Sequence, residues 1–370
     1  MKKVSILAAI ALVVVGCNKR ALEEPIPPVT PDTEAPVSFG ATAEVSVVES
    51  KAALNLGTDL TPQLGVYAFK AASVPNASTA DGAVWCSAKN LHYTWVPASN
   101  CYKEDTKTSL FWPASGNTSD KLSFASYFPY LATATTGNGV NAYVLTQDLA
   151  TQTGTPAPDY GFAWAKAENV GRPNPMASQA LAFNYKVAKV SLSIVGDGTS
   201  VGATGIKVQS GGTGEGVVSI KLYTASTSGL YKEYKLNLLD GTTTNSTGNL
   251  TQAAPMTLQP VAKTGNGTSG DTFEKDYVDA VGYLAPSTDA NFEAAGLTVE
   301  VVYNDGTSDQ TYTATIKAGV GLLAPPADLS AGLAAGNNYK YTLKLGKSGI
   351  TFTGTVTDWT DVAGGEITLD

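Results

Sequence analysis

An all-β fold in two domains is what this chain predicts, and three observations predict it. Apolar residues recur with a period of two along short runs. Those runs are separated by clusters of Gly, Ser, Thr and Pro, and no long stretch carries the 3.6-residue period of an amphipathic helix. Val37, Phe39 and Ala41, continued by Val45, Val47 and Val48, mark a first strand. Residues 64–69 mark a second and 121–130 a third. Leu181, Phe183 and Tyr185, then Val190, Leu192 and Ile194, predict two more strands within 180–195. Residues 298–303 and 310–316 flank Asn304-Asp305-Gly306-Thr307, a hairpin signal because Asp-Gly takes up the positive φ of a tight turn. Residues 339–345 and 350–356 end the series, and 329–335 has room for a turn or two of helix. No fixed-period repeat is present, which argues against a solenoid or propeller.

The N-terminus carries a different pattern. Met1, Lys2 and Lys3 are followed by an apolar run over 4–15, too short to span a bilayer and of the length of a signal-peptide core. The run ends in Val14-Val15-Gly16-Cys17, which resembles the lipobox of bacterial lipoproteins. The resemblance implies a signal peptide over 1–16, cleavage after the small Gly16, and a diacylglycerol on the Cys17 thiol. Each buried methylene of such an anchor contributes about 0.8 kcal/mol, enough with several acyl chains to hold a protein at a membrane without a transmembrane helix. Residues 17–36 read as a tether: Pro25, Pro27, Pro28, Pro31 and Pro36 favour an extended, unpaired backbone. Glu23 and Glu24 within it resemble the acidic patches that direct some lipoproteins to a cell surface.

Composition suits an exported protein. Charged residues make up 15% of the chain, against about 25% in typical soluble domains. The formal charge of −8 becomes −10 once Lys2 and Lys3 leave with the signal, which disfavours nucleic acid and anionic lipid as partners. Roughly 350 mature residues exceed one ordinary core, so the body divides in two, 37–186 and 187–370. With Cys17 acylated, Cys86 and Cys101 remain as an even pair in an oxidising compartment, each beside a strand-like stretch. They form either a disulfide or two half-buried thiols.

Chemistry-bearing constellations are sparse. The chain has one histidine, His92, between Leu91 and Tyr93 in a predicted strand, where a structural or surface role is the ordinary one. A Ser-His-Asp triad would rest on that residue alone, and without a second histidine or a cysteine cluster a zinc site has no ligands. Gly196-Asp197-Gly198 through Gly202 mimics a phosphate loop but lacks the following helix, so it reads as a turn. Nothing selects a glycosidase pair from the 32 acidic residues. No enzyme activity, cofactor or metal is predicted.

In order along the chain stand Val37-Ser38-Phe39, then Leu64-Gly65-Val66-Tyr67-Ala68-Phe69, then Phe111-Trp112-Pro113 ahead of the aromatic run Leu122-Ser123-Phe124-Ala125-Ser126-Tyr127-Phe128-Pro129. Leu181-Ala182-Phe183-Asn184-Tyr185-Lys186-Val187-Ala188-Lys189-Val190 follows. The chain ends on Tyr339-Lys340-Tyr341-Thr342-Leu343, Ile350-Thr351-Phe352 and Val356-Thr357-Asp358-Trp359. This order resembles the fimbrillin-like lipoproteins of Bacteroidetes, with one departure at Asn184, where many relatives carry histidine. The resemblance implies two stacked transthyretin-like β-sandwiches and a pilus assembled by strand exchange. In that scheme an Arg- or Lys-specific protease removes the first strand, and a strand of the next subunit fills the groove. Carried over, the removable strand is 37–48 and the candidate cut follows Lys51, which is otherwise a solvated loop lysine. The candidate donor is the tail after Trp359, where Ile367 and Leu369 alternate with polar neighbours; otherwise it is an edge strand of the second domain. The implied partners are other fimbrillin subunits, the outer membrane through the lipid, and a host or bacterial surface ligand.

A second reading is a monomeric surface lipoprotein that binds glycan or host ligand through exposed aromatics. Trp85, Trp95, Trp112, Trp164 and Trp359 are its candidates; Trp112 and Trp359 lie in the motifs above and read as core, and Trp95 beside Val96-Pro97 reads as the exposed ring. Whichever reading holds, Cys17→Ala is expected to release the protein from membranes or leave an unprocessed precursor. Fractionation with a labelled acyl chain checks this, and a mutant that still partitions and labels like wild type removes the anchor.

Overall fold

The computed structural model describes residues 35–43, 63–99, 101–104, 109–113, 120–132, 143–152, 161–173, 177–198, 201–210, 212–245, 248–265, 275–317, 329–346 and 349–358. Cys17, Val45, Val47, Val48, Lys51, Trp359, Ile367 and Leu369 lie outside them. Strands dominate, as the period of two predicts. Every run named above that falls within the described residues is a strand, and the 329–335 stretch is a bend bridged to Ser287 through Leu333, not a helix.

The first half builds a ring. Its strands are β1 (Phe39–Ala43), β2 (Gln63–Phe69), β3 (Leu91–Val96), β4 (Cys101–Glu104), β5 (Leu122–Phe128), β8 (Ala163–Val170) and β9 (Gln179–Tyr185). They pair in the order β1-β4-β3-β2-β5-β8-β9, and β1 returns to β9, so the sheet closes into a seven-stranded barrel where an open two-sheet sandwich was expected. Closure follows from β1 having a hydrogen-bonded neighbour on each side, which leaves the ring no free edge.

The second half is a two-sheet sandwich. One sheet orders β15 (Val261–Lys263), β16 (Tyr277–Leu284), β10 (Ala188–Gly196), β19 (Asn337–Gly346) and β20 (Gly349–Asp358). The facing sheet orders β18 (Asp309–Ile316), β17 (Leu297–Asn304), β11 (Gly216–Tyr223), β14 (Met256–Leu258) and β7 (Thr151–Gln152). Alternate residues meet between them: Val190, Leu192, Ile194, Tyr341 and Leu343 from one side, Ile220, Leu222, Val299 and Val301 from the other. The hairpin of β17 and β18 turns at Asp305-Gly306, with Gly306 at φ +91° and the Asp305 carboxylate accepting from the Thr307 and Ser308 amides. Those bonds hold the exposed Asp305 carboxyl below its usual range.

Hydrogen bonding does not follow the expected division at 186/187 throughout. β6 (Val144–Asp148) and β7, both from the first half, cross into the second. β6 pairs with β12 (Glu233–Asn237), which also carries β13 (Thr243–Asn245), and β7 runs parallel to β14. The buried Gln152 side chain locks this crossing: Nε2 donates to the Leu149 and Tyr283 carbonyls, and Oε1 accepts from the Tyr283 amide at 2.8 Å. Trp164 of β8 reciprocates, its Nε1 donating to the Leu238 carbonyl at 2.9 Å while the Lys186 ammonium lies 5.3 Å from its ring.

As a result β2 and β5 are buried on both faces along their length, and β8 over Ala163, Trp164 and Ala165. Leu64, Val66, Ala68, Phe124 and Ala165 fill the barrel, while Tyr67, Phe69, Tyr127 and Trp164 join the core of the second half. Gly65 sits under the Tyr127 ring, where an added Cβ would stand 2.1 Å from a ring carbon. Gly65→Ala is therefore expected to destabilise the fold by about 1–3 kcal/mol through overpacking, a drop in midpoint readable by urea denaturation.

The slot closed by β1

β1 is the strand on which ring closure depends, and its two edges are held unequally. Toward β9 it runs parallel over five residue pairs, Phe39↔Gln179 to Ala43↔Phe183. Toward β4 it has one antiparallel pair, Phe39↔Tyr102. Ahead of it the chain pairs with 110–112: the Val37 amide donates to the Leu110 carbonyl at 3.0 Å, and the Trp112 amide to the Ala35 carbonyl at 2.9 Å. Ser38 supplies its carbonyl to the Gln179 amide at 2.8 Å.

The side chains alternate as the sequence predicts. Ala35, Val37 and Phe39 are buried in the barrel core, with Pro36 turned to solvent. Phe39 is fully enclosed and meets Tyr93 and Phe124 edge-to-face at 5.1 and 5.2 Å; Phe124 in turn meets Trp112 at 5.7 Å. The Tyr93 hydroxyl donates to the Val37 carbonyl at 3.3 Å, so the segment is fixed by polar contacts as well as packing. Burial drives the Tyr93 and Tyr102 phenols far above their usual range, so both stay protonated donors. The arrangement is a slot for one extended strand, lined by aromatic rings. Among the described residues no three of His, Cys, Asp and Glu gather where a metal ion could be held.

Other predicted residues fall elsewhere. Cys86 and Cys101 are not bridged. Cys86 follows the short helix α1 (Ala80–Ala83) in a left-handed turn at φ +51°, where a strand-like stretch was expected, and the Trp85 amide donates to the Ala68 carbonyl of β2 at 2.9 Å. Cys101 pairs with Val96 at the C-terminal end of β3. His92 stacks on Tyr130 at 4.2 Å, a structural contact. In the Gly196–Gly202 stretch the Asp197 carboxylate accepts from the Val201 amide, and the Gly198 amide donates to the Val201 carbonyl. Trp95, expected to be an exposed ring, is half-buried edge-on against Tyr102 at 5.1 Å. Trp85 donates to the Phe111 carbonyl, and Trp112 and Trp164 are core residues. The described tryptophans therefore offer no open stacking platform. Tyr93, Tyr102 and Phe124 were missed as slot-lining residues, although the strand predicted around His92 is β3 and the Tyr93/Trp95 alternation marks its inward row.

Comparison with known proteins was made on sequence and on structure. A family profile described as fimbrillin-like matches residues 52–359. No curated protein matches. Among solved structures, a candidate cell adhesion protein of Bacteroides uniformis is similar with a TM-score of 0.56 at 20% identity, covering 88% of this chain and 98% of its own. Another, from Bacteroides ovatus, has a TM-score of 0.54 at 18% identity, covering 89% and 99%. At that identity the likeness is one of fold.

Because Phe39 carries the largest buried area of the segment, Phe39→Ala is expected to cost about 3–5 kcal/mol, and to open the ring at β1 first. Limited proteolysis checks the order: cleavage near residues 35–43 should accelerate more than cleavage within the second half. Uniform acceleration would mean that β1 is not separately held.

Proposed function

The chain belongs to the fimbrillin-like family, and from that premise we propose that it is a structural subunit of a cell-surface pilus, assembled by exchange of β-strands between subunits and serving adhesion. In this reading Cys17 is lipidated and holds the precursor at the outer membrane. The chain is cut after Lys51, the strand over 37–48 leaves, and a strand of the next subunit takes its place. The two halves correspond to the transthyretin-like units of the family. The description of the Bacteroides relatives as candidate cell adhesion proteins is carried over as the adhesive part of the proposal.

One observation carries the reading. β1 closes the barrel through hydrogen bonds and packing, and its chain continues to β2 only through residues 44–62, which contain Lys51. A cut there leaves β1 held by non-covalent contacts alone. Loss of the strand would bare the outer edges of β4 and β9 together with the rings around Phe39, a main-chain template with an apolar floor, which is what β-augmentation requires. An uncut β1 hides that template in the precursor.

Trimming the chain after Lys51 is expected to convert a monomer into oligomers that resist SDS. Deleting residues 361–370, with Ile367 and Leu369, is expected to block oligomer growth while leaving the melting curve of the body intact. A trimmed chain that stays monomeric and as stable as full length sinks the plug reading. Growth that survives tail deletion places the donor strand elsewhere.

A further inference from the structure

The slot fits its present occupant incompletely. Two buried side-chain donors beside β1, the Tyr102 hydroxyl and the Trp112 indole N–H, have no hydrogen-bond partner. Tyr102 is fully enclosed and Trp112 is 3% exposed. Both face the same row of the plug. Tyr102 stands directly opposite Phe39 across the β1–β4 pair, and Trp112 stands opposite Ala35 through its amide bond to the Ala35 carbonyl. Antiparallel partners put their side chains on one face, and all four residues belong to the barrel core. Between them lies Val37 on the same face. The inward row is thus Ala35, Val37 and Phe39, three side chains without a single acceptor. Tyr93 shows the contrast: its hydroxyl reaches the Val37 carbonyl and is satisfied.

Buried donors without partners are rare in folded proteins, because each loses its water and gains nothing in exchange. Apolar rings at these two positions would line the slot equally well. We infer that the slot now closed by residues 35–43 is shaped for a strand of a second subunit whose inward row carries a hydrogen-bond acceptor between its apolar anchors. The inference rests on the strand-exchange reading and names the chemistry of the incoming strand. Main-chain bonds and an apolar anchor opposite Tyr93 and Phe124 are common to plug and donor. The acceptor distinguishes them, so replacement of β1 is favoured by contacts that β1 cannot make. A hydroxyl in place of a Val37 methyl is the smallest change that puts an acceptor on this row, and it brings a proton of its own that needs an acceptor in turn.

The test uses the full chain, nicked within residues 44–62 and still holding its plug. Labelled peptides of residues 35–43, native and Val37→Thr, compete for the slot. The Thr peptide is expected to displace the plug at about fivefold lower concentration, and to lose this advantage on Tyr102→Phe and on the Tyr102→Phe/Trp112→Phe chain. Buried in an ordinary apolar slot, the same hydroxyl would weaken binding about tenfold. Equal or weaker competition by the Thr peptide, with the native peptide active, overturns the inference and leaves strand exchange standing. If neither peptide displaces the plug from a folded chain, strand exchange at this slot fails and the inference falls with it. As a second readout, Val37→Thr in the intact chain is expected to leave the melting temperature unchanged or raised; a fall of several degrees counts against it.

Discussion

The architecture depends on a wall with two insides. β2, β5 and β8 supply one row of side chains to the barrel and the alternate row to the core of the second half. Where both faces are covered, along β2, β5 and the first three residues of β8, apolar residues cannot alternate with charged ones, because either face would then bury charge without a partner. β2 is accordingly buried at every position after Gln63, and β5 at every position. The buried polar residues of β5 are serines that reach backbone carbonyls, Ser123 to Ala71 and Ser126 to Gly65. A slip by one residue in β5 would carry Phe124 out of the barrel and Tyr127 out of the shared core together, so two cores fix one register.

This wall also ties the slot to the rest of the molecule. Phe39 packs on Phe124, and the next residues along β5 reach the second half through Ala125 and Tyr127. β1 is placed at the far side of the ring, where its neighbours β4 and β9 contribute less to the shared core. A strand that leaves from there disturbs one core and spares the other. The unequal edges of β1 fit the same logic, since five parallel pairs on β9 and one pair on β4 hold it less tightly than a fully antiparallel neighbour would be held.

The sequence made much of this legible, and the misses have physical causes. Strong alternation located β9, β10, β17, β18, β19 and β20, and Asp305-Gly306 located their clearest hairpin. Val37 and Phe39 were read as alternate residues of a first strand, and both are buried in the barrel core. β6 and β7 were missed because five- and two-residue strands in a polar stretch carry no period of their own; their pairing is decided by β12, β14 and the Gln152 side chain. Of the two readings left open for Cys86 and Cys101, the structure has the unbridged thiols, one half-buried and one buried, and spacing in sequence could not choose between them. Barrel closure was invisible for a similar reason: it rests on a parallel pair separated by 140 residues, Phe39 and Gln179. The orphan donors on Tyr102 and Trp112 are a property of what stands opposite them, which no local pattern reports.

That long-range pair bears on how the protein is made. A chain emerges N-terminus first, so β1 appears before either of its neighbours exists. Its main neighbour β9 ends at Tyr185, near the midpoint of the chain, and the crossing strand β7 must wait longer still for β14. Both closures are late, costly in loop entropy and slow by comparison with the hairpins that form around them. Until Tyr102 and residues 110–112 emerge, the apolar segment beginning at Ala35 is held by nothing it will later pair with, and its longer edge stays open until β9 is made. A nascent chain of this design needs a keeper for its first strand, or a synthesis fast enough to outrun the encounter with a neighbour's ribosome product.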